Sequence, residues 1–395
     1  MTSNNHIQTP YFLYDLDLLD QTLANASEHA SRHGYTIHYA IKANHEQTVV
    51  ESIHKAGFGI DCVSGQEVAA AINHGFSPSS IVFAGVGKSD DEINLALDHD
   101  IFCLNCESVE ELEVIAGLAE QRNQVVRVAL RVNPDVDANT HHKITTGLDE
   151  NKFGIHLDRL QEALDFCYAS EYIDFLGLHF HIGSQILHAK PYVDLCHKVN
   201  AIWKTYKLDQ YGARILNLGG GLGIDYEKPD QNPVPDFENF FSIFATHLQI
   251  PTHINIHFEL GRSLVGQSAS LITRVLYVKK GINKQFAITD AGMTELLRPA
   301  LYQAVHKIEN LTSDLPTETY DVVGPACESS DTFASNLSLP AISRGDLLAV
   351  RSCGAYAQSM SLHYNLRKKA VSCYTRKGII CSPEPSEVSF QTSFV

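Results

Sequence analysis

The stretch Thr36-Ile-His-Tyr-Ala-Ile-Lys-Ala-Asn44 decides how the chain is read. Ile37, Tyr39 and Ile41 alternate with His38, Ala40 and Lys42, the period-2 pattern of a short strand. A lone lysine therefore stands at the C-terminal end of an apolar strand. A lysine held in an apolar site loses solvation of its ammonium form, so its pKa falls and the amine becomes a nucleophile. Such an amine forms Schiff bases with aldehydes. The plainer reading is a surface lysine at a strand end, which the usual exposure of lysine favours. The rest of the chain decides between them.

The same unit recurs after Lys42. Gly59-Ile-Asp-Cys-Val63 precedes Ser64-Gly-Gln-Glu67 and a helical run from Val68 to His74. Ile81-Val-Phe-Ala-Gly85 precedes Ser89-Asp-Asp-Glu92 and Ile93 to His99, and Ile101 to Asn105 precedes Ser108-Val-Glu-Glu111 and a helix to Gln121. Each Ser-x-x-Glu is expected to form a capping box at a helix start. Val126 to Val132, Phe175 to Ile182, Ile215 to Leu218 and Ile254 to Leu260 complete eight candidate strands. Strands alternating with helices pair in parallel, and eight of them predict an α/β fold with a closed (β/α)8 barrel over residues 26–265. An open doubly wound sheet is the competing architecture.

From about Ser268 the rhythm changes. Leu271 to Lys279, Gln285 to Thr289, Tyr320 to Val323, Asp346 to Val350 and Ala370 to Tyr374 read as strands with few helices between them. Residues 266–395, joined by 1–25, are expected to form a mainly β domain, with a loosely ordered tail from Pro383.

Composition sets outer limits. The 395 residues suffice for two or three domains, and 44% hydrophobic with 19% charged residues is ordinary for a globular protein. Thirty basic against 46 acidic residues leave a net charge of −16, which disfavours nucleic acid as a partner. No apolar run has the length of a membrane span, and the first residues lack the pattern of a signal peptide. Nine scattered cysteines suit a reducing cytoplasm. Cys103-Leu-Asn-Cys106 reads as buried strand, since residues three apart on a strand point to opposite faces.

Polar residues gather at the C-terminal ends of the barrel strands, where such folds carry their sites. Lys42 ends the first strand and Asp61 lies in the second. His179-Phe-His181-Ile-Gly-Ser184 closes the sixth, Gly219-Gly-Gly-Leu-Gly223 the seventh and Glu259-Leu-Gly-Arg262 the eighth. Successive backbone N–H groups of a glycine run can converge on a phosphate. No Gly-x-Gly-x-x-Gly follows the first strand and no Walker lysine follows the run, so dinucleotide and nucleoside-triphosphate sites lack their context. His179 and His181 share a strand face, a spacing found in metal-dependent barrel hydrolases, but two histidines do not fill a catalytic zinc shell. Either an imidazole lies over an aromatic cofactor, or a histidine serves as hydrogen-bonded core. Glu259 would be costly at a barrel end unless paired, whether with a pyridine nitrogen or with Arg262.

Tyr39-Ala-Ile-Lys-Ala-Asn44, His181-Ile-Gly-Ser-Gln185, Gly219-Gly-Gly221, Glu259-x-Gly-Arg262, Asp290-Ala-Gly292, Arg298-Pro-Ala-Leu-Tyr302, Gly324-Pro-Ala-Cys-Glu-Ser329 and Gly354-Ala-Tyr356 occur in that order. With them the chain, from about Thr9 to Tyr374, closely resembles the diaminopimelate decarboxylases, within the alanine-racemase-like, fold-type III pyridoxal-phosphate enzymes. Leu260, Phe180 and Met293-Thr294 depart from the family's commoner Pro, Cys and Met-Asn, and none removes a chemical group. The resemblance implies pyridoxal 5'-phosphate as cofactor and conversion of meso-2,6-diaminopimelate to L-lysine and carbon dioxide, the last step of lysine biosynthesis. It implies that Lys42 holds the cofactor as a Schiff base and that His181 stacks on its ring. Ser184, Gly220, Gly221 and Tyr356 would hold its phosphate, and Glu259 its pyridine nitrogen. Asp61, Gly261 and Arg262 join the cofactor-binding set. Arg262, Arg298, Tyr302, Glu328 and Tyr356 would bind substrate, with Cys327 as proton donor. Cys327 and Glu328 would reach into the partner subunit of a homodimer. A carboxynorspermidine-type decarboxylase, an amino-acid racemase, a noncatalytic cofactor-binding homologue and a metal hydrolase are the alternatives.

Overall fold

The structure is a computed structural model and describes residues 7–136 and 152–381. The expected tail from Pro383 lies outside the described residues. The chain divides into two units, one of Asp20–Gln267 and one of Met1–Leu19 with Ser268–Val395.

The first unit is a closed barrel of eight parallel strands, Thr36–Ala40, Gly59–Cys62, Ile81–Phe83, Cys103–Cys106, Val126–Arg131, Ile173–His179, Ile215–Asn217 and Asn255–Leu260. Register across the closing seam sets Thr36 opposite His257 and His38 opposite Glu259. The barrel, not the open sheet, is therefore the fold. Helices Gln47–Lys55, Gly65–Asn73, Asp90–Asp98, Val109–Gln121, Leu157–Ala169, Lys190–Tyr206 and Phe237–His247 alternate with the strands. Alternation explains the seating of the last of these. Phe240, Phe241 and Phe244 meet Phe258 edge-on, at ring-centroid distances of 5.4, 5.2 and 4.8 Å, while the flanking His257 and Glu259 belong to the polar groups described below.

Helix starts follow the Ser-x-x-Glu signals with one difference. Ser64, Ser89 and Ser108 each accept from the N–H three residues on. Only Ser89 and Glu92 form the reciprocal box. Glu67 reaches one residue further back, to the N–H of Val63 at 2.7 Å, and Glu111 likewise to that of Glu107 at 2.7 Å. Each of these glutamates ties its helix to the end of the preceding strand instead of to the cap residue.

The second unit is a nine-stranded, mostly antiparallel sheet. Its spine is Ala269–Lys280, which pairs with Tyr11–Asp15 and Leu347–Val350 along its first half and with Gln285–Thr289 along its second. Thr317–Val323 and Thr332–Pro340 extend one side, Val371–Arg376 and Ile379–Cys381 the other, and Ile308–Asn310 pairs with Leu347–Val350. Tyr11, Ile272, Ala349 and Cys373 form one core cluster from four of these strands.

Among the described residues no helix is long and apolar enough to cross a membrane. At Gly177 the barrel wall closes so tightly that a Cβ would lie 1.9 Å from the carbonyl oxygen of Ile215. Gly177→Ala is expected to lower the stability of the barrel by about 3 kcal/mol in denaturant unfolding, as overpacking against backbone cannot relax by a rotamer change. Gly117→Ala, in the helix Val109–Gln121 with nothing within 4 Å of its Cβ, is the control. It should gain about 0.5–1 kcal/mol.

Candidate active site

Lys42 lies just past the first strand, in the single turn Ile41–Ala43. Its Nζ donates to Asp61 Oδ2 at 3.0 Å, and its side chain keeps 41% of its exposure. The apolar setting expected for this lysine is thus corrected: a buried acid stands beside it, because pairing of the first two strands sets Ala40 opposite Asp61. Burial first, and then the charge of Glu259, push the Asp61 carboxyl up to about 7 against the opposing pull of Lys42. Asp61 Oδ1 is buried and has no partner among the described residues.

Glu259 is buried in the eighth strand, next to its final residue Leu260. Its Oε1 accepts from the amides of Asn105 at 3.2 Å and Asn217 at 2.7 Å, and its Oε2 meets His179 Nε2 at 2.9 Å. Burial alone would raise this carboxyl. His179 outweighs it, with help from Lys42, and holds the carboxyl well below the usual carboxylate range. Glu259 is therefore an ionised carboxylate in the barrel interior. His179 is the hydrogen-bonded core histidine of the pair. Asn105 and Asn217 were not among the expected site residues. The signal for them was an amide within an otherwise apolar strand, where a buried amide requires partners.

His181 is half-buried, and its Nδ1 accepts from the Gly220 N–H at 3.4 Å. Burial, and then Arg131 and Lys42, lower its pKa to about 3, so the imidazole is neutral at physiological pH. The glycine run is pinned to the loop after His181: Ile186 N–H donates to Gly221 O at 2.9 Å, and Gly223 N–H to Ile186 O at 3.0 Å. A Cβ at Gly220 would lie 2.0 Å from the Glu259 carbonyl, and Gly221 has φ +101°. Only glycine serves at both. Gly261 lets the eighth strand pass the Lys42 turn, its Cβ position being 3.1 Å from that of Ala43. Arg262 does not pair with Glu259. Its Nη2 donates to Ser184 Oγ at 3.0 Å and its Nη1 to Tyr226 Oη at 2.7 Å. One turn past the strand, its side chain reaches the loop that carries Ser184.

The remaining expected residues belong to the β unit. Arg298 is buried and opens the short helix Arg298–Tyr302, whose last residue is the half-buried Tyr302. Cys327 is exposed, and its N–H donates to Asn365 Oδ1 at 3.3 Å. Glu328 Oε1 accepts from Tyr364 Oη at 2.7 Å. The two therefore share the neighbourhood of residues 364–365. Tyr356 adopts φ +56°. Asp331 fastens their loop, accepting from Met293 N–H at 2.6 Å and Ala326 N–H at 2.7 Å.

The barrel residues fit pyridoxal phosphate. A carboxylate has about four acceptor positions, and the described donors fill three of those on Glu259, so one remains for a pyridinium N–H. The neutral His181 can lie against a cationic ring without repulsion. The side-chain-free Gly219–Gly221 turn lets backbone approach a phosphate closely, and Ser184 and Arg262, joined to each other, add a hydroxyl and a cation suited to one. Among the described residues no three His, Cys, Asp or Glu side chains are grouped to hold a metal ion.

A second histidine pair lies deeper. His38 Nδ1 must donate to Ser80 O at 3.2 Å, which leaves Nε2 to accept from His257 Nδ1 at 2.8 Å. Phe102 stacks 3° from parallel on His257. Burial lowers the pKa of His38, and burial followed by His38 lowers that of His257 to about 3. His38, His181 and His257 are thus neutral when folded and take up protons on unfolding below their ordinary value of about 6.5. Their stabilisation is complete above that pH and is lost as pH falls toward 3. Asp61, Glu67, Glu295 and Asp331, whose carboxyls burial raises, run the other way and offset the histidines in the net stability. The histidines are therefore read one by one: NMR of the folded, cofactor-free protein should show the His181 and His257 rings still neutral at pH 5, where an unfolded imidazole is charged. A charged ring at either position at that pH would contradict the assignment of these protonation states.

The family model described as the pyridoxal-dependent decarboxylase, pyridoxal binding domain, matches residues 18–266. The chain is 50% identical over 363 residues to the diaminopimelate decarboxylase of Bacteroides thetaiotaomicron, spanning 92% of this chain and 94% of that protein. It is 40% identical over 364 residues to that of Helicobacter pylori strain J99, spanning 92% of this chain and 89% of that protein. The crystal structure of the Helicobacter pylori enzyme complexed with L-lysine matches with a TM-score of 0.90 at 39% identity, covering 95% of this chain and 94% of that one. With the family model over residues 18–266 and relatives 50% and 40% identical over 92% of its length, the chain belongs to the pyridoxal-dependent decarboxylases, among the diaminopimelate decarboxylases.

Proposed function

We propose that this protein is a pyridoxal-phosphate-dependent carboxy-lyase that converts meso-2,6-diaminopimelate to L-lysine and carbon dioxide, acting in the cytoplasm as a homodimer. The observation that carries the reading is the buried, ionised Glu259 in the barrel whose first strand leads into Lys42. Bound pyridoxal phosphate supplies a sink for the electron pair released when the bond between Cα and the carboxylate breaks. Glu259 would keep the pyridine nitrogen protonated, and Asn105, Asn217 and His179 hold Glu259 ionised in turn. Lys42 Nζ would hold the cofactor's aldehyde carbon, and Asp61 lies within hydrogen-bond reach to take or return its proton. The neutral His181 would cover the ring. Ser184, Gly220, Gly221 and Tyr356 would hold the phosphate.

Substrate choice follows from charge. The end of meso-2,6-diaminopimelate that does not react carries an ammonium and a carboxylate, and Arg298 and Glu328 supply the opposite charges; Arg262, Tyr302 and Tyr356 are the other substrate-binding residues of this reading. A decarboxylase whose substrate ends in an ammonium alone needs no such arginine. Each charge-assisted contact can contribute about 1.5–3 kcal/mol. Cys327 Sγ delivers the proton that replaces the departing carboxylate. In the dimer, Cys327 and Glu328 serve the partner's barrel.

The test is an absorbance spectrum of the purified protein, followed by addition of meso-2,6-diaminopimelate with lysine and carbon dioxide both measured. A visible-edge band that borohydride removes, with lysine formed, is expected. A band without lysine would point to another amino-acid substrate. Lys42→Ala should abolish both band and turnover, and turnover retained in that variant would sink the scheme. The shared site makes a separate prediction. Lys42→Ala and Cys327→Ala are each inactive alone, but mixing them through dissociation and reassociation should restore about a quarter of the wild-type rate, since half the dimers are mixed and each has one intact site. No recovery would place both residues in one subunit's site.

A further inference from the structure

We infer that His306 is a positioning residue that aims Arg298 at the substrate's non-reacting carboxylate, and that it thereby helps to set specificity for a substrate bearing one. The inference rests on the reading of Arg298 as the group that binds this carboxylate. Arg298 and His306 are 5% and 4% exposed, and Arg298 Nη1 lies 2.8 Å from His306 Nε2. On the other side of the ring, His306 Nδ1 lies 2.8 Å from the carbonyl oxygen of Arg351.

These two contacts fix the tautomer. A carbonyl oxygen only accepts, so Nδ1 carries the proton. Nε2 then presents a lone pair, and the guanidinium N–H donates to it. The carbonyl that orients the ring is itself held, because Arg351 follows the strand Leu347–Val350, which pairs with Ile308–Asn310, and its N–H donates to Lys307 O at 2.8 Å. A rigid strand pair thus fixes the ring, and the ring fixes one edge of the guanidinium. A guanidinium has five donors in a planar fork, so holding one edge sets the direction of the whole fork before a carboxylate arrives. A neutral acceptor suits this task better than an aspartate or glutamate in the same place. It orients the cation without adding negative charge beside it, where an acid would compete with the substrate.

The test uses the holoenzyme and three ligands. KM for meso-2,6-diaminopimelate and the inhibition constant of L-lysine both involve the carboxylate, while cadaverine is lysine without it. His306→Asn keeps a donor toward Arg351 but withdraws the acceptor from Arg298. It should raise KM and the lysine constant together by about tenfold, with kcat and the cadaverine constant within about twofold. His306→Gln, which places an acceptor where Nε2 stands, should stay within about threefold of wild type, and in an Arg298→Ala background His306→Asn should have no further effect. An unchanged KM in His306→Asn overturns the inference, as does an equal loss for cadaverine and lysine. If Arg298→Ala raises KM while His306→Asn is silent, the role of His306 alone fails. If Arg298→Ala leaves KM unchanged, the reading of Arg298 fails and the inference falls with it. Nitrogen-15 spectra of the wild-type histidines need no variant to fold: His306 protonated at Nδ1 is expected, and protonation at Nε2 overturns the geometry.

Discussion

An ionised carboxylate buried inside a barrel is the constraint on which the site depends. Glu259 cannot keep its charge in a low-dielectric interior without donors, and the donors come from three other strands: Asn105 from the fourth, His179 from the sixth and Asn217 from the seventh. Closure of the barrel brings these strands around the eighth, so the fold and the charge state depend on each other. An open sheet could not offer Glu259 the same set. The electrostatics spread outward from this point. Glu259 helps raise Asp61, Asp61 engages Lys42, and Lys42 helps keep His181 neutral.

The β unit shows the same economy by other means. Asp331 fixes two backbone segments at once, and its carboxylate oxygens lie where Cβ atoms at Gly292 and Gly324 would fall, at 2.6 and 2.4 Å. Two glycines and one aspartate therefore lock together the Asp290-Ala-Gly292 and Gly324-Pro-Ala-Cys-Glu-Ser329 motifs. The glycines in both motifs are required by a loop packing that only small residues permit.

Much of the barrel was legible because its signals are local. Alternation marked the strands, and Ser64, Ser89 and Ser108 marked helix starts. What was not legible depended on partners far away in sequence. The sequence places Asp61 nineteen positions after Lys42, but only strand pairing makes them neighbours, so the lysine's setting was misjudged as apolar. Arg262, three residues from Glu259, stood as the alternative partner to a pyridine nitrogen, but the turn after the eighth strand carries the guanidinium toward Ser184 and Tyr226. The amides of Asn105 and Asn217 are unremarkable until the carboxylate between them is seen. Thr332–Pro340 was missed as a strand because its polar, exposed positions and the positive φ of Asn336 blur the alternation. The core fixes pattern, whereas sites are assembled from single residues with no pattern of their own.

The strand Tyr11–Asp15 lies near the start of the chain, yet one of its two neighbours is Val371–Arg376, near the end, with Tyr11 opposite Val371 and Asp15 opposite Thr375. During synthesis at about 5–20 residues per second, Tyr-Phe-Leu-Tyr therefore waits roughly 20–70 s for that neighbour. The barrel residues through Gln267 emerge in the meantime and have every strand they need. The β unit does not. It lacks Val371–Arg376 until that segment has been made, with an apolar strand edge open until then. Translation speed and chaperone occupancy, neither of which touches the chemistry, thus bear on how much of this protein reaches its folded form.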